Sequence, residues 1–244
     1  MDISFDRRFL SETQTIIAMD EAGRGPLAGP VYSCCVLLRK EEEERLLSDI
    51  PFVDDSKKTS PEKRKQIVKW VLARNIPFAI GTASVEEIDC ENILRATEKS
   101  MERAVENLGL TFSLALVDGN HLRLSFPHLL IPKGDATSMR IALASNLAKY
   151  YRDGLMESYD KEDPRYGFAQ HKGYGTVKHR KAIGEYGATP FHRLTFAPIY
   201  KETDFATLSE WLSNGEISSQ RYESILKKKE LMGDENGRSD TKKT

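Results

Sequence analysis

Asp20 and Glu21 stand side by side between an apolar run and a glycine-rich turn, in Thr15-Ile16-Ile17-Ala18-Met19-Asp20-Glu21-Ala22-Gly23-Arg24-Gly25-Pro26-Leu27-Ala28-Gly29-Pro30. The run has the composition of a buried strand. Charge in such a place is costly and persists only when paired, hydrogen-bonded or bound to a metal. The glycines let another backbone approach closely. Carboxylates beside an open backbone suit metal ions and a phosphodiester. A nucleotide-cofactor loop is disfavoured, because such a loop must run into a helix whose N-terminus holds the phosphate. Here Val31–Leu38 reads as a second strand, and no Gly-Lys-Ser/Thr follows.

Two further acids stand at comparable places. Asp118 follows the apolar run Leu114–Val117, and Asp135 follows Lys133-Gly134 ahead of a helical pattern. Ligands of open α/β sheets bind beyond strand ends. If the first and fourth strands are neighbours, Asp20 and Asp118 come together. Carboxylates that converge without basic partners repel, and hard divalent cations with oxygen ligands remove that conflict. Two such ions can activate a water and stabilise the leaving oxygen of a phosphodiester. Asp153 is a poorer candidate, because a continuous helix from Asp135 would carry it about 27 Å away; a structural pairing with a nearby base is expected. Asp54-Asp55 and the Glu41–Glu44 run are expected to be solvated loop and helix charges. A second cluster, Phe168-Ala169-Gln170-His171-Lys172-Gly173-Tyr174-Gly175-Thr176-Val177-Lys178-His179-Arg180-Lys181, combines bases with a tyrosine held between glycines. Lys and Arg neutralise phosphates, and the tyrosine ring can lie against a sugar or base. The same segment equally fits a loop leading to a surface helix with Tyr174 packed beneath it.

The elements that must position these residues alternate. Strands are expected at Ile16–Met19, Val31–Leu38, Pro77–Ala83, Leu114–Val117 and Leu129–Ile131. Ser60-Pro61 starts a helix whose apolar face is Ile67, Val68, Val71 and Leu72. Ser84-Val85-Glu86-Glu87 is a capping box that opens one long helix closed by Gly109. Another helix runs from about Thr137 to Ser158. Strands alternating with helices indicate an α/β domain with a mixed sheet. Helices are expected at Phe205–Leu212 and Tyr222–Leu231, and Gly233–Thr244 reads as a polar, disordered tail.

A chain of 244 residues with 39% hydrophobic residues can bury a core as one large domain, with or without an appendage. Its formal net charge of −1 supplies no global basic field, so nucleic acid would have to be held by local patches. Three cysteines, two of them the neighbours Cys34 and Cys35, give neither a disulfide framework nor a zinc spacing. Met1–Asp6 has no signal-peptide pattern and no apolar stretch is long enough to span a membrane, so a cytoplasmic protein is expected.

Taken together, the motifs resemble bacterial ribonuclease HII, the type 2 ribonuclease H family. The matching pieces are Met19–Val31, Asp55-Ser56-Lys57-Lys58, Val117-Asp118-Gly119-Asn120, Lys133-Gly134-Asp135, Ala144-Ser145 with Ala148-Lys149 and Arg152-Asp153, His171-Lys172-Gly173-Tyr174-Gly175-Thr176, and His192-Arg193 before Phe196. They stand in the family's order and cover about Ile16 to Pro198. The resemblance implies a ribonuclease H-like mixed β-sheet flanked by helices in residues 1–198; the C-terminal helical extension expected at 199–232 and the tail at 233–244 lie outside the match. It implies cleavage of the RNA strand of RNA/DNA hybrids. It also implies incision 5′ to single ribonucleotides in duplex DNA, leaving 3′-hydroxyl and 5′-phosphate ends. Ribonucleotide removal and RNA primer removal are the roles that follow. The family's metal-binding acids fall on Asp20, Glu21, Asp118 and Asp135, for two Mg2+ or Mn2+ ions. Its Gly-Arg-Gly motif falls on Gly23, Arg24 and Gly25, and its junction-reading tyrosine on Tyr174. The partners are RNA/DNA hybrid and ribonucleotide-containing DNA, with no membrane, and a monomer is expected. Thr59, Asn146 and Tyr150-Tyr151 depart from the family pattern, and the departures touch helix packing rather than the acids.

Two other readings compete. A resolvase or recombinase of the same fold would share the acids without needing the Gly-Arg-Gly and Gly-Tyr-Gly pieces. A non-catalytic binder of hybrids gains nothing from four carboxylates near a polyanion. Lys57 and Lys58 lie on a polar loop and are expected to meet backbone phosphate. Replacing both with Ala is expected to weaken substrate binding and flatten its salt dependence, with sequence preference unchanged. A titration series across salt concentrations checks this, and an unchanged slope would leave the two lysines as solvated charges.

Overall fold

The computed structural model describes residues 4–9, 15–54 and 56–238; residues 1–3, 10–14, Asp55 and 239–244 lie outside the described residues. The elements are α1 (Ser4–Arg7), β1 (Ile16–Ala22), β2 (Val31–Val36), α2 (Lys40–Asp49), α3 (Pro61–Ala73), β3 (Phe78–Ala83), α4 (Val85–Glu91) and α5 (Ile93–Leu108). They continue with β4 (Leu114–Asp118), β5 (His128–Ile131), α6 (Gly134–Thr137), α7 (Met139–Glu162), α8 (Phe168–His171) and α9 (Val177–Tyr186). The last are α10 (Ile199–Glu202), α11 (Phe205–Ser213) and α12 (Ser219–Arg238). Two compact units divide the chain. The first takes Met1–Arg24, Val31–Ala83 and Leu94–Leu155; the second takes Gly25–Pro30, Ser84–Ile93 and Met156–Thr244.

The first unit is built on a five-stranded sheet of order β3-β2-β1-β4-β5. β1 runs antiparallel to β2 and parallel to β4, and β4 runs parallel to β5, so the sheet is mixed as its alternating pattern predicts. Side chains of a strand alternate between faces. Ile16, Ala18, Cys34, Val36 and Leu116 enter one apolar layer with Ile67, Val68 and Val71 of α3 and Ile141, Leu143 and Leu147 of α7. Ile17, Met19, Cys35, Ala115 and Val117 enter the other with Met101 and Ala104 of α5. Both faces of β1 are therefore covered, which is why its run is apolar without alternation.

Three elements differ from expectation. The capping box at Ser84 is present, with Ser84 Oγ accepting from Glu87 N–H, but α4 stops at Asn92, whose φ of 85° breaks the expected long helix before α5. With ψ at 163° Asn92 lies outside αL, in a region that residues other than glycine rarely adopt. The helix expected from Thr137 instead starts at Met139, because Ser138 is extended (φ −106°, ψ 124°) and its hydroxyl accepts from Ile141 N–H as a cap. Glu43, expected to be a solvated charge, is fully buried and paired with the equally buried Arg140 of α7.

The second unit has its own core. Leu27, Tyr166, Phe168 and Leu194 share it with Leu208 of α11, Ile217, and Ile225 of α12. The C-terminal helices thus pack with residues on both sides of position 198. Asp89 of α4 ties the unit together, accepting from Leu194 N–H (3.0 Å), Thr195 N–H (2.9 Å) and Arg221 Nε (3.0 Å). The expected tail from Gly233 continues α12 as far as Arg238, and its remainder lies outside the described residues. Among the described residues no helix is long and apolar enough to cross a membrane.

In the first unit β3 lies so close to α5 that a Cβ at Gly81 would sit 2.1 Å from the Ser100 carbonyl oxygen and 2.3 Å from Ala104 N. Both are backbone atoms and cannot swing aside. The hydroxyls of Ser33 and Ser100 meet at 2.6 Å in the same layer. Gly81→Ala is expected to destabilise the protein by about 2–3 kcal/mol, as overpacking of a tight interior does. Urea unfolding of the two proteins checks this, and coincident midpoints would show that α5 can move away at no cost.

Candidate active site

The parallel pairing of β1 with β4 aligns Met19 with Val117. One residue on, Asp20 and Asp118 are neighbours across the pair. Two residues beyond Ala18 and Leu116, they point to the same face of the sheet. Asp20 is 4% exposed. Its Oδ1 accepts from Glu21 N–H at 2.6 Å, and the Ser145 hydroxyl of α7 also bonds it. Burial pushes its carboxyl well above the usual range, and the charges of Glu21 and Asp118 push it further. Glu21 points to the opposite face at the strand end. Burial, reinforced by Asp118 and opposed by Arg24, raises it from its ordinary 4.5 to about 7.

Asp118 is raised by burial and by the charge of Asp135. Its Oδ1 accepts from Gly134 N–H at 2.6 Å. A Cβ on Gly134 would lie 3.3 Å from that oxygen and 2.7 Å from Ile141 Cδ1, so the approach suits glycine. Asp135 stands in the first turn of α6, 8% exposed. The four acids thus form a line of mutual repulsion from β1 through β4 to α6.

Two of them have basic partners that the sequence did not reveal. Arg24 lies 3.5 Å from Glu21, and the Lys57 ammonium lies 3.4 Å from Asp135. Lys57 is 79% exposed, and an exposed pair of this kind contributes little. Lys58 faces Asp54 at 3.9 Å. Asp153 meets Lys149 at 2.6 Å and Arg64 at 3.5 Å, the structural pairing expected of it. Among the described residues no three Asp, Glu, His or Cys side chains stand close enough together to hold a metal ion. The donors themselves fit hard divalent ions: all are carboxylate oxygens, and Glu21 Oε2 is buried with no hydrogen-bond partner.

Residues outside the expected set support this line. Ser145 Oγ lies 2.9 Å from Ser56 Oγ, linking Asp20 to the loop that carries Lys57. Arg64 donates to the carbonyls of Ser56 (2.7 Å) and Thr59 (2.8 Å), and Asn146 donates to that of Asp54 (2.8 Å). Arg152, 1% exposed, packs over Gly23, where a Cβ would meet its Nε at 2.1 Å. The advance signals were the matching motif pieces, which contain Ser56, Ser145 and Arg152, and the departure at Asn146. In the second unit Tyr174 is 45% exposed, and its ring lies 3.6 Å from the place a Cβ would take on Gly25. Leu27 N–H donates to Gly173 O at 2.8 Å, which seats the end of the glycine turn on the tyrosine loop.

The fold is similar to that of ribonuclease H2 from Pyrococcus horikoshii OT3, with a TM-score of 0.57 at 22% identity over 77% of this chain and 96% of that one. It is also similar to Bst-RNase HIII solved in complex with Mn2+, with a TM-score of 0.61 at 17% identity over 83% and 73% of the two chains. The architecture is therefore that of the type 2 ribonucleases H. The Ribonuclease HII family profile matches residues 17–199. Ribonuclease HII of Thermotoga maritima is 40% identical over 224 residues, 92% of this chain and 90% of the relative. That of Chlamydia pneumoniae is 44% identical over 199 residues, 81% and 90% of the two. The chain belongs to the ribonuclease HII family and is a ribonuclease H, a hydrolase acting on RNA/DNA hybrids.

Glu21 offers a test of the buried charge. A folded-state value near 7 against 4.5 means that the folded chain keeps a proton which the unfolded chain releases. The stability this contributes is complete below about pH 4.5 and is lost as pH rises through about 7. Glu21→Gln is expected to remove that loss, so in EDTA the urea midpoint of the wild type should fall relative to the variant across this window. Parallel pH profiles would show that Glu21 is not desolvated.

Proposed function

We propose that this ribonuclease H incises 5′ to single ribonucleotides embedded in duplex DNA, besides cleaving the RNA strand of hybrids. Asp20, Glu21, Asp118 and Asp135 would hold two Mg2+ or Mn2+ ions. The observation that carries the reading is the line of buried, mutually repelling carboxylates with the unpartnered Glu21 Oε2. When bound, the two ions supply a water of lowered pKa and charge stabilisation for the leaving oxygen. The phosphorus–O3′ bond breaks, so the upstream strand keeps a 3′-hydroxyl and the ribonucleotide keeps the 5′-phosphate.

The chain's own groups select the substrate. A 2′-hydroxyl is a donor and an acceptor that DNA lacks. Gly23, Arg24 and Gly25 expose backbone amides and carbonyls that can bond it. The half-exposed ring of Tyr174 packs on the adjacent deoxyribose and holds the junction in register. Lys57 and Lys58 reach backbone phosphate from a loop fixed by Arg64. The roles that follow are ribonucleotide removal from DNA and RNA primer removal, by a cytoplasmic monomer.

Duplex DNA with one ribonucleotide, supplied with Mg2+, Mn2+ or EDTA and mapped at the cut, tests the reading. Asp118→Asn is expected to lose nearly all cleavage while remaining folded, because one charged ligand is replaced by a neutral isostere. Tyr174→Ala is expected to reduce incision at the lone ribonucleotide more than cleavage of a long hybrid, where other ribose contacts remain. Turnover by Asp118→Asn like that of the wild type would overturn the metal assignment. Equal losses on both substrates would give Tyr174 a general role only.

A further inference from the structure

Three histidines of the second unit take no part in the chemistry above, yet they are buried together beneath the Tyr174 loop. His179 and His192 are wholly buried and His171 nearly so. The rings of His171 and His179 stack with centroids 4.3 Å apart, and those of His179 and His192 lie 5.3 Å apart. Tyr166 and Phe168 pack against them.

The partners of these rings fix where each proton sits. Thr189 N–H is an obligate donor and lies 3.0 Å from His192 Nδ1, so that nitrogen accepts and His192 Nε2 carries the hydrogen. His192 Nε2 lies 3.1 Å from His179 Nε2, which must then accept, leaving the His179 hydrogen on Nδ1. His179 Nδ1–H donates to the Tyr174 carbonyl at 3.0 Å. The neighbouring ring obeys the same logic: Gly173 N–H donates to His171 Nδ1 at 3.2 Å, and His171 Nε2–H donates to Tyr166 O at 2.7 Å. A one-way series therefore runs from Thr189 through His192 and His179 to the backbone of Tyr174.

We propose that His192 and His179 are positioning residues for Tyr174, forming an uncharged relay that ties its backbone to the Thr189 segment and so fixes the aim of its ring. The proposal rests on the reading of Tyr174 as a substrate contact. The relay works only with neutral rings, since a second proton on either would set two N–H groups against each other. Burial lowers His179 to about 4 and His192 to about 3. The charged neighbours act in the same sense on balance. His171 disfavours a charge on His179, His179, Arg221 and His171 disfavour one on His192, and Lys178 opposes Asp160 at His171. The rest of the loop is already pinned: Tyr174 N–H donates to His171 O, Thr176 N–H donates to Tyr174 O, and Gly173 (φ +83°) would place a Cβ 2.6 Å from Ala28 O. Loss of the relay thus leaves the turn in place and removes only its tether to Thr189.

The test has two arms on the full chain. Long-range imidazole spectra of nitrogen-15-labelled wild type at neutral pH are expected to show hydrogen on His179 Nδ1 and on His192 Nε2. Hydrogen on His179 Nε2 would overturn the relay. In the second arm, His179→Phe keeps a ring in the stack and loses both bonds. It is expected to lower lone-ribonucleotide incision about fivefold with a smaller effect on hybrid cleavage, the scale of one lost hydrogen bond. In a Tyr174→Ala background the same change is expected to add nothing, because both act through one ring. Multiplying losses would overturn the proposal. His179→Asn, whose amide reaches only the Nδ1 position, and His179→Gln, whose amide reaches only the Nε2 position, each keep one of the two bonds; both are expected to keep the defect, and either replaces the Phe variant if that one does not fold. Incision by the Asn variant equal to that of the wild type would overturn the relay, because the bond to Tyr174 O alone would then suffice. If Tyr174→Ala alone spares the preference for a lone ribonucleotide, the substrate role of Tyr174 fails, while the spectra still decide the relay.

Discussion

The side-by-side pairing of β1 with β4 forces two like charges into adjoining strand ends, and much of the first unit is arranged around that conflict. Both strands are apolar on both faces up to Met19 and Val117, and the acids begin at the next position. The apolar layers lower the local dielectric, so Asp20 and Asp118 feel each other more strongly than they would in water. Each acid is then steadied by a near donor: Glu21 N–H and Ser145 for Asp20, Gly134 N–H for Asp118, Lys57 for Asp135. The donors to Asp20 and Asp118 are neutral and add no counter-charge, and the exposed Lys57 offsets little of the charge of Asp135. Hard cations bind best where oxygen ligands are charged, pre-placed and poorly solvated.

The loop carrying Lys57 and Lys58 owes its placement to α3 and α7. Arg64 is buried with its guanidinium on the carbonyls of Ser56 and Thr59 and beside Asp153. Asn146 reaches the carbonyl of Asp54 from α7. Asn146 thus holds the entry to the basic loop as Arg64 holds its exit. Asp153 contributes by neutralising Arg64 and Lys149 together, which lets two cations stay half-buried beside one carboxylate.

The strands, the mixed sheet and the neighbourhood of Asp20 and Asp118 were legible in the sequence, because periodicity and strand-end acids are local signals. The Ser60 cap and the Ser84 capping box were legible for the same reason. What escaped was non-local. The break at Asn92 rests on a positive φ that no periodicity announces, and the start of α7 is fixed also by Ser138 Oγ bonding Asp6, 132 positions away. Glu43 looked solvated because its partner Arg140 is 97 positions away. The ion pairs Glu21–Arg24 and Asp135–Lys57 were missed because Arg24 was read as part of the turn that meets the 2′-hydroxyl and Lys57 as a phosphate contact, and neither reading looks for a carboxylate partner. Tyr174 could be marked from its flanking glycines, but the histidines beneath it could not, since their meaning lies in the direction of their hydrogen bonds.

The second unit is assembled from three separate stretches of chain, and that has a bearing on how the molecule comes into being. Gly25–Pro30 emerges from the ribosome early, yet Gly29 O waits for Arg193, a separation of 164 positions, and Asp89 waits 132 positions for Arg221. Sheet pairing of β1 through β5 closes by Ile131, so the first unit can order itself during synthesis while the second cannot. Closure over such distances is slow on the folding timescale. Until it occurs, Leu27 and Ala28 are apolar residues without their core. The nascent enzyme therefore gathers its carboxylates before the loop that bears Tyr174 is in place, and α11 and α12 then complete the core of the unit that carries that loop.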